Sequence, residues 1–360
     1  MPNRNGVETD VRRLTNLVGK FRGRRIAVVG DWMLDRYIWG TATRLSPEAA
    51  VPIVDFTKQT ECLGGAGNVA ANLAALGARV ASFGIIGDDE AGRALLSLMR
   101  NLKLSTSGIV SDRARPTTLK TRIIARQQQI VRVDRESRMP AAAIVEKKIL
   151  RGISGVLPAT DAVIISDYDK GTVTEGLIEP VLEICAGKKV PVFVKPKWSR
   201  LPTYHGAKTV ICNSKEAGFL VTRTLSDDQS VEESAKALLD QFDCSNVVIT
   251  RGGEGLTVYE KNSSRAFHVA ATSRERPVGQ HGERGSGPGS EVYDVTGAGD
   301  TVLATLALAM AAGANVSEGA VLGNAAAGVV VTKLGTATLS VAELIAAVRG
   351  LAGSGTGRTK

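Results

Sequence analysis

The sequence predicts an α/β fold: a doubly wound, mostly parallel central sheet flanked by helices, with a small β-sheet lid protruding from it. Three observations carry this reading. Short apolar runs ending at Gly or Ser, such as Arg25-Ile-Ala-Val-Val-Gly30 and Ala162-Val-Ile-Ile-Ser166, have the pattern of strands buried on both faces. From Asp161 onward such runs alternate with helical stretches, which is the signature of parallel βαβ units. Two pairs of polar, alternating stretches, near residues 37–56 and 116–134, fit neither pattern and are expected to form a lid sheet outside the core.

In order, Arg25–Gly30 is the first strand, and Ile38–Arg44 and Val51–Phe56 are two short ones around the turn-prone Ser46-Pro47-Glu48. Gly64-Gly65-Ala66-Gly67-Asn68 opens an Ala-rich helix, Val69–Leu76, that stops at Gly77. Arg79–Ile86 is a strand and Glu90–Asn101 a helix. Thr117–Ile124 and Gln129–Asp134 alternate as a hairpin. Strands then fall at Ala162–Ser166, Val190–Val194, Thr209–Cys212 and Asn246–Thr250, with helices at Glu175–Ala186, Lys215–Thr222 and Val231–Gln241 between them. Leu256–Glu260 and Ala266–Ala270 make an antiparallel finish, and Ala298–Ala311 and Glu318–Val331 are closely packing small-residue helices. The expected organisation is an extension over 1–24, one domain over 25–350 and a tail over 351–360. Residues 272–290, rich in Gly, Arg, Ser and Pro, read as a long flexible loop.

Composition narrows the function. Among 360 residues, 43% are hydrophobic and 22% charged, so a disordered chain is excluded. No apolar run approaches the ~20 residues of a membrane span, and no apolar signal core precedes Lys20. Four scattered cysteines without a CxxC pair, and three histidines, argue against a zinc site or disulfide framework and for a reducing cytoplasm. The net charge of +9 admits nucleic acid, anionic metabolites or a merely solvated surface. The richest basic cluster, Arg113–Arg138, has few aromatics to stack bases, which disfavours nucleic acid.

The sharpest local feature is Asp294-Val-Thr-Gly297-Ala298-Gly299-Asp300-Thr301, ahead of an Ala/Leu-rich helix. Glycines at a helix N-terminus expose backbone N–H groups to an anion. Asp300 in that first turn reads as a helix cap or as a general base beside the anion hole. Asn213-Ser214-Lys215-Glu216 after a strand has the spacing of a capping box, and equally of a small polar binding site. Thr250-Arg-Gly252-Gly253-Glu-Gly255 is a glycine turn at a strand end. Asp31, directly after the first strand, is a turn residue or a ligand-binding carboxylate at a sheet's carboxyl-end crevice.

Taken together, the Gly64-Gly-Ala-Gly-Asn68 and Asp294–Asp300 motifs, some 230 residues apart, resemble the two signatures of the ribokinase-like (PfkB) carbohydrate kinases. Val29-Gly-Asp-Trp-Met-Leu-Asp35, Ser46-Pro-Glu-Ala, Ser166-Asp-Tyr-Asp-Lys170-Gly and Ala325–Thr336 look like that family's heptose-phosphate kinases. The resemblance, over about Arg24–Gly350, implies an ATP- and Mg²⁺-dependent kinase that phosphorylates a heptose 7-phosphate at its anomeric hydroxyl. An adenylyltransferase HxGH signature is absent, so a kinase module alone is expected. Another sugar or nucleoside kinase, or a non-catalytic sugar- or nucleotide-binding protein on the same fold, are the alternatives.

By resemblance, Asp300 is the base, and the backbone of Gly297, Ala298 and Gly299 holds the transferring phosphoryl group. Asn213, Ser214, Lys215, Glu216, Thr250, Gly252, Gly253, Gly255 and Asn324 face the nucleotide, with Glu216 and Asn213 reaching Mg²⁺ through water. Asp31, Asp35, Gly64, Gly65, Asn68 and Asp167 face the sugar. The far phosphate is expected at Arg44, Lys120, Arg122, Arg126, Gln128 and Lys170. A homodimer joined through the lid strands is implied as well. Lys195, in Val194-Lys-Pro-Lys197, stands where these kinases usually carry an acid, a charge reversal at the nucleotide side.

Overall fold

The computed structural model describes residues 10–125, 128–197, 204–272 and 294–353. The chain enters through α1 (Val11–Gly19) and β1 (Arg25–Gly30), then runs into two long paired strands, β2 (Trp32–Leu45) and β3 (Pro52–Gly65). There follow α2 (Ala66–Ala75), β4 (Arg79–Gly87), α3 (Glu90–Asn101), β5 (Gly108–Asp112), β6 (Thr118–Ala125) and β7 (Gln128–Arg135). The second half carries α4 (Ala143–Val156), β8 (Ala162–Ser166), α5 (Glu175–Gly187), β9 (Val192–Lys195), β10 (Thr209–Asn213), α6 (Ser214–Leu220) and α7 (Asp228–Phe242). It ends with β11 (Asn246–Thr250), β12 (Leu256–Glu260), β13 (Phe267–Val269), α8 (Ala298–Ala311), α9 (Val316–Val330) and α10 (Val341–Gly353).

Nine of these strands form one sheet in the order β13-β12-β11-β10-β9-β8-β1-β4-β5. It is parallel from β11 to β5, and β12 and β13 close it antiparallel. Side chains that alternate along a strand sort into the two faces. Ile26, Val28, Ala162 and Ile164 join a core with α1, α2, α3, α8, α9 and α10. Ala27, Val29, Val163 and Ile165 join the opposite core with α4, α5, α6 and α7. Both faces are therefore apolar, which is why the strands read as continuous apolar runs. The chain winds outward from β1 through β4 to β5, then returns to β8 on the other side of β1. The order reverses between β1 and β8, and ligand crevices form at such switch points, beyond the carboxyl ends of the strands.

The remaining four strands form the lid, β3-β2-β6-β7. The four-stranded separate sheet agrees with expectation, but its strands are longer. β2 and β3 each run 14 residues: β2 begins at Trp32 instead of Ile38, and β3 continues to Gly65 instead of ending at Phe56. Trp32–Asp35 is buried without alternation because this end of β2 lies against the core, and bulges after Trp39 and Thr41 shift the pleat.

Three helices carried weak sequence signals: α1, α4 and α10. In α1 the apolar residues are few, yet Leu14, Leu17, Val18 and the following Phe21 are buried in the core that includes α10. Residues 10–24 are thus packed into the domain. Replacing Phe21, which has no exposed surface, with Ala is expected to cost about 3–5 kcal/mol of unfolding free energy in urea denaturation, as for large buried aromatics. A cost below about 1 kcal/mol would show α1 to be a dispensable appendage.

Candidate active site

At the crevice, β1 and β8 approach closely: the Asp31 N–H donates to the Ser166 carbonyl at 3.1 Å. Asp31 itself is buried, and its carboxylate accepts the backbone N–H groups of Tyr168 (2.8 Å), Lys170 (3.0 Å) and Thr172 (3.0 Å). It thereby fixes the loop after β8. Asp167 accepts the Asp169 N–H at 2.8 Å and the Tyr204 hydroxyl at 2.9 Å. Burial, reinforced by Asp31, pushes the Asp167 carboxyl up to about 7.

The loop fixed by Asp31 delivers Tyr168 to Asp300. The Tyr168 hydroxyl donates to Asp300 Oδ1 at 2.5 Å, and the Lys195 ammonium donates to the same oxygen at 2.7 Å and to the Tyr168 oxygen at 2.8 Å. Asn68 Nδ2 donates to Asp300 Oδ2 at 3.1 Å. The two glycine motifs therefore meet, although they are 232 residues apart at this contact. Asn68 is oriented in turn by Asn72, whose amide donates to its Oδ1 at 3.1 Å, and Thr301 donates to Asn72 Oδ1 at 3.3 Å. Gly297 sits at φ +84°, and a Cβ there would lie 2.5 Å from Asn68 Nδ2, so the turn into α8 requires glycine twice over.

Burial, and after it the Asp300 charge, push the Tyr168 hydroxyl up, so it remains a donor. Burial alone would lower the Lys195 ammonium. The neighbouring Asp300, then Tyr168 and Glu216, outweigh it and hold it above its ordinary range.

Gly297, Ala298, Gly299 and Asp300 border a cavity of about 360 Å³ whose other walls include Asn213, Glu216, Thr250, Gly252, Gly253 and Asn324. Asn213 and Glu216 form a complete capping box on α6: Glu216 N–H donates to Asn213 Oδ1 (2.8 Å) and Asn213 N–H to Glu216 Oε2 (3.0 Å). Lys197 donates to Glu216 Oε1. The capping residues Asn213 and Glu216 also line the cavity wall. Asn324 is buried and donates to the Ala270 carbonyl at 2.8 Å. Ser214 donates to the Thr250 carbonyl at 3.3 Å, Lys215 is exposed, and Gly255, at φ +91°, shapes the turn behind the wall.

On the lid side, Arg122 is buried and donates to Asp35 Oδ1 at 2.6 Å. Thr336 reaches Asp35 Oδ2 at 3.4 Å and lies 2.8 Å from the Cys62 sulfur. Burial pushes Asp35 up in spite of Arg122. Gly64 has no room for a side chain, since its Cβ would fall 2.4 Å from Asp35 Oδ2, and Gly65 is at φ +56°. Lys120 binds Asp134 (3.0 Å) and Glu136 (3.3 Å), and Lys170 binds Glu136 (2.9 Å). Arg44 and Gln128 lie exposed on lid strands, Arg44 facing Asp55 at 3.7 Å. Arg126, residues 1–9, most of 272–290 and 354–360 lie outside the described residues.

Sequence reasoning missed Tyr168 and Asn72 and placed Lys195 on the nucleotide side alone. Tyr168 stood within a quoted motif, Ser166-Asp-Tyr-Asp-Lys170, but only the fold shows that its hydroxyl meets Asp300.

A profile of the pfkB family carbohydrate kinases matches residues 24–343. The chain belongs to this family. It is 39% identical over 339 residues to the bifunctional protein HldE of Pelobacter propionicus and 40% identical over 333 residues to that of Geobacter sulfurreducens. These alignments cover 94% and 92% of this chain, which spans 66% and 64% of those relatives. Among solved structures, phosphofructokinase-2 from Escherichia coli superposes with a TM-score of 0.70 at 18% identity, covering 92% of this chain and 99% of the other. An Arabidopsis thaliana ribokinase complexed with ribose and ATP gives 0.68 at 16%, covering 91% and 99%. The fold is therefore that of the pfkB carbohydrate kinases, with the two family motifs joined at Asn68 and Asp300.

An aspartate titrates near ~3.9 in the unfolded chain, and Asp167 titrates at about 7 in the folded one. The folded state holds the extra proton between these values, so stability from this group falls as pH rises through the window. Urea midpoints of Asp167→Asn against the parent should diverge in favour of the variant from pH 5 to pH 8. A constant gap would mean that Asp167 is already ionised at pH 5.

Proposed function

We propose that this kinase transfers the γ-phosphoryl group of ATP to the anomeric 1-hydroxyl of D-glycero-D-manno-heptose 7-phosphate, giving the 1,7-bisphosphate. The observation that carries the reading is the Asn68–Asp300 contact at the N-terminus of α8, which sets a carboxylate beside an anion-binding helix end and an open cavity. The alignment with bifunctional HldE proteins over more than nine-tenths of the chain supports the heptose class. We place the activity in the cytoplasm, consistent with cysteines that are free thiols. Among the described residues no helix is long and apolar enough to cross a membrane.

Asp300 has the geometry of a general base. Its Oδ1 already accepts two donors, while Oδ2 accepts Asn68 and keeps capacity for the sugar hydroxyl. The proton passes to Oδ2 as the sugar oxygen attacks phosphorus, and the backbone at Gly297–Gly299 faces the transferring group. The covalent contribution of the protein is small, and positioning and charge stabilisation dominate. Asp35, Arg122 and Asn68 face the sugar, and the Lys120–Lys170 cluster, bridged by Glu136, is where a far phosphate would displace a carboxylate.

Mg²⁺ keeps most of its waters and takes few protein ligands. Glu216, buried at the cavity wall with Asn213 beside it, fits that demand, although Lys197 shares its carboxylate. The ion, when bound, supplies neutralisation of phosphate charge.

Coupled ATPase assays over a panel of sugars and sugar phosphates are expected to show turnover with heptose 7-phosphate. Turnover on ribose or fructose 6-phosphate alone would assign another sugar. Asp300→Asn should lower kcat by about 10²–10⁴-fold while leaving sugar affinity within a few-fold. The Lys195–Asp300 ion pair favours a second reading, a non-catalytic binding protein. Sugar or nucleotide binding without turnover on any panel member would decide for it.

We also propose a homodimer through the lid. Leu45, Phe56 and Val133 are 68%, 67% and 56% exposed there, and apolar residues so displayed on one small sheet suit a second copy. Sedimentation of the parent is expected to give a dimer and of Phe56→Glu a monomer. A monomeric parent would remove the proposal.

A further inference from the structure

Lys195 occupies a position that neither capping nor core packing explains. It ends β9, the strand next to β8 in the sheet, and its ammonium sits between Asp300 and Tyr168 at the cavity wall. The nitrogen is 3.7 Å from the point where a Cβ on Gly299 would lie, and 4.7 Å from the centre of the Tyr168 ring. It therefore touches the first turn of α8.

Two positive features are held side by side here. A helix N-terminus carries roughly half a positive charge, and the ammonium adds a full one. The Asp300 carboxylate compensates only part of this. A second ammonium follows: Lys197 is paired with Glu216 and lies 5.8 Å from the Tyr168 ring centre. Glu216, Tyr168, Lys195 and Asp300 line the cavity, with Lys197 paired to Glu216 behind them, and the Lys195 end abuts the first turn of α8. An anion at the α8 N-terminus would complete the charge balance there.

We propose that Lys195 is a catalytic residue, whose ammonium contacts the transferring phosphoryl group while remaining hydrogen-bonded to Asp300. This rests on the kinase reading above. Lys195 stays protonated and forms no bond. The sugar oxygen–phosphorus bond forms, the bond from the γ-phosphorus to the β,γ-bridging oxygen breaks, ADP leaves, and Asp300 takes the hydroxyl proton. The ammonium offsets charge on the equatorial oxygens and keeps the base aligned between nucleotide and sugar.

Calorimetric titration with ADP and with the non-hydrolysable β,γ-imido analogue of ATP, at fixed Mg²⁺, tests this without any sugar. A contact to the γ-phosphate alone predicts that Lys195→Met weakens the imido analogue about 10–100-fold and leaves ADP within about twofold, the scale of one charge-assisted hydrogen bond. Lys195→Arg should retain most of the analogue affinity. Lys195→Met leaves Asp300 buried without its cation, so the double variant Lys195→Met/Asp300→Asn, compared with Asp300→Asn, provides the same reading in a charge-neutral background. Equal losses for both nucleotides, or no loss, would overturn the role of Lys195 and leave the kinase reading standing. A parent that binds neither nucleotide would overturn the ATP reading, and the proposal with it.

Discussion

The carboxylate of Asp300 is the constraint on which the site depends. It lies in the first turn of α8, is almost wholly buried, and takes hydrogen bonds from three elements distant in sequence: Asn68 on α2, Tyr168 after β8 and Lys195 at the end of β9. A buried carboxylate is tolerated only when its lone pairs are satisfied. Here the partners that satisfy it also fix its orientation. The helix end lowers the cost further, since a negative charge in the first turn opposes the helix dipole.

These partners converge because of the topology. The switch between β1 and β8 leaves a crevice at their carboxyl ends, and Asp31 spends its carboxylate on three backbone amides of the loop that crosses it. One aspartate thus builds the scaffold while another, Asp300, borders the cavity. Lid strands β2 and β3 originate at the same place, since Trp32 pairs with Gly65 in register at the base of the lid. The base of the lid and the first turn of α8 are consequently linked through a few residues around Asp31, Gly65 and Asn68.

Much of this was legible in the sequence where one force dominated. Strands buried on both faces announce themselves as apolar runs, and β8 and β11 fall where the sequence places them, residue for residue. Glycine motifs were legible because backbone geometry excludes other residues, as at Gly297. Elements stabilised by tertiary contact were not. α1 has a narrow apolar stripe whose value appears only when Phe21 and Leu17 meet the core, and β5 is a short, half-buried edge strand. Arg122, within a basic stretch, was expected at a far phosphate rather than against a carboxylate. Its burial against Asp35 depends on β6 pairing with β2 from 87 residues away.

Lys195 shows the limit most clearly. In the chain it is a sign change in an otherwise familiar tetrapeptide, and sequence alone suggests damage to the nucleotide side. In the fold its ammonium turns toward Asp300 and Tyr168. The basic residue is balanced by the candidate base itself, so the reversal need not create an unpaired buried charge. Retaining such a pair in the site has a cost: desolvating a lysine and an aspartate is repaid only by close geometry, here 2.7 Å and shared hydrogen bonding with one tyrosine. Apolar residues in place of both partners would avoid that cost for folding alone. The pair therefore makes physical sense chiefly where an anion enters and converts the local excess of positive charge into binding energy.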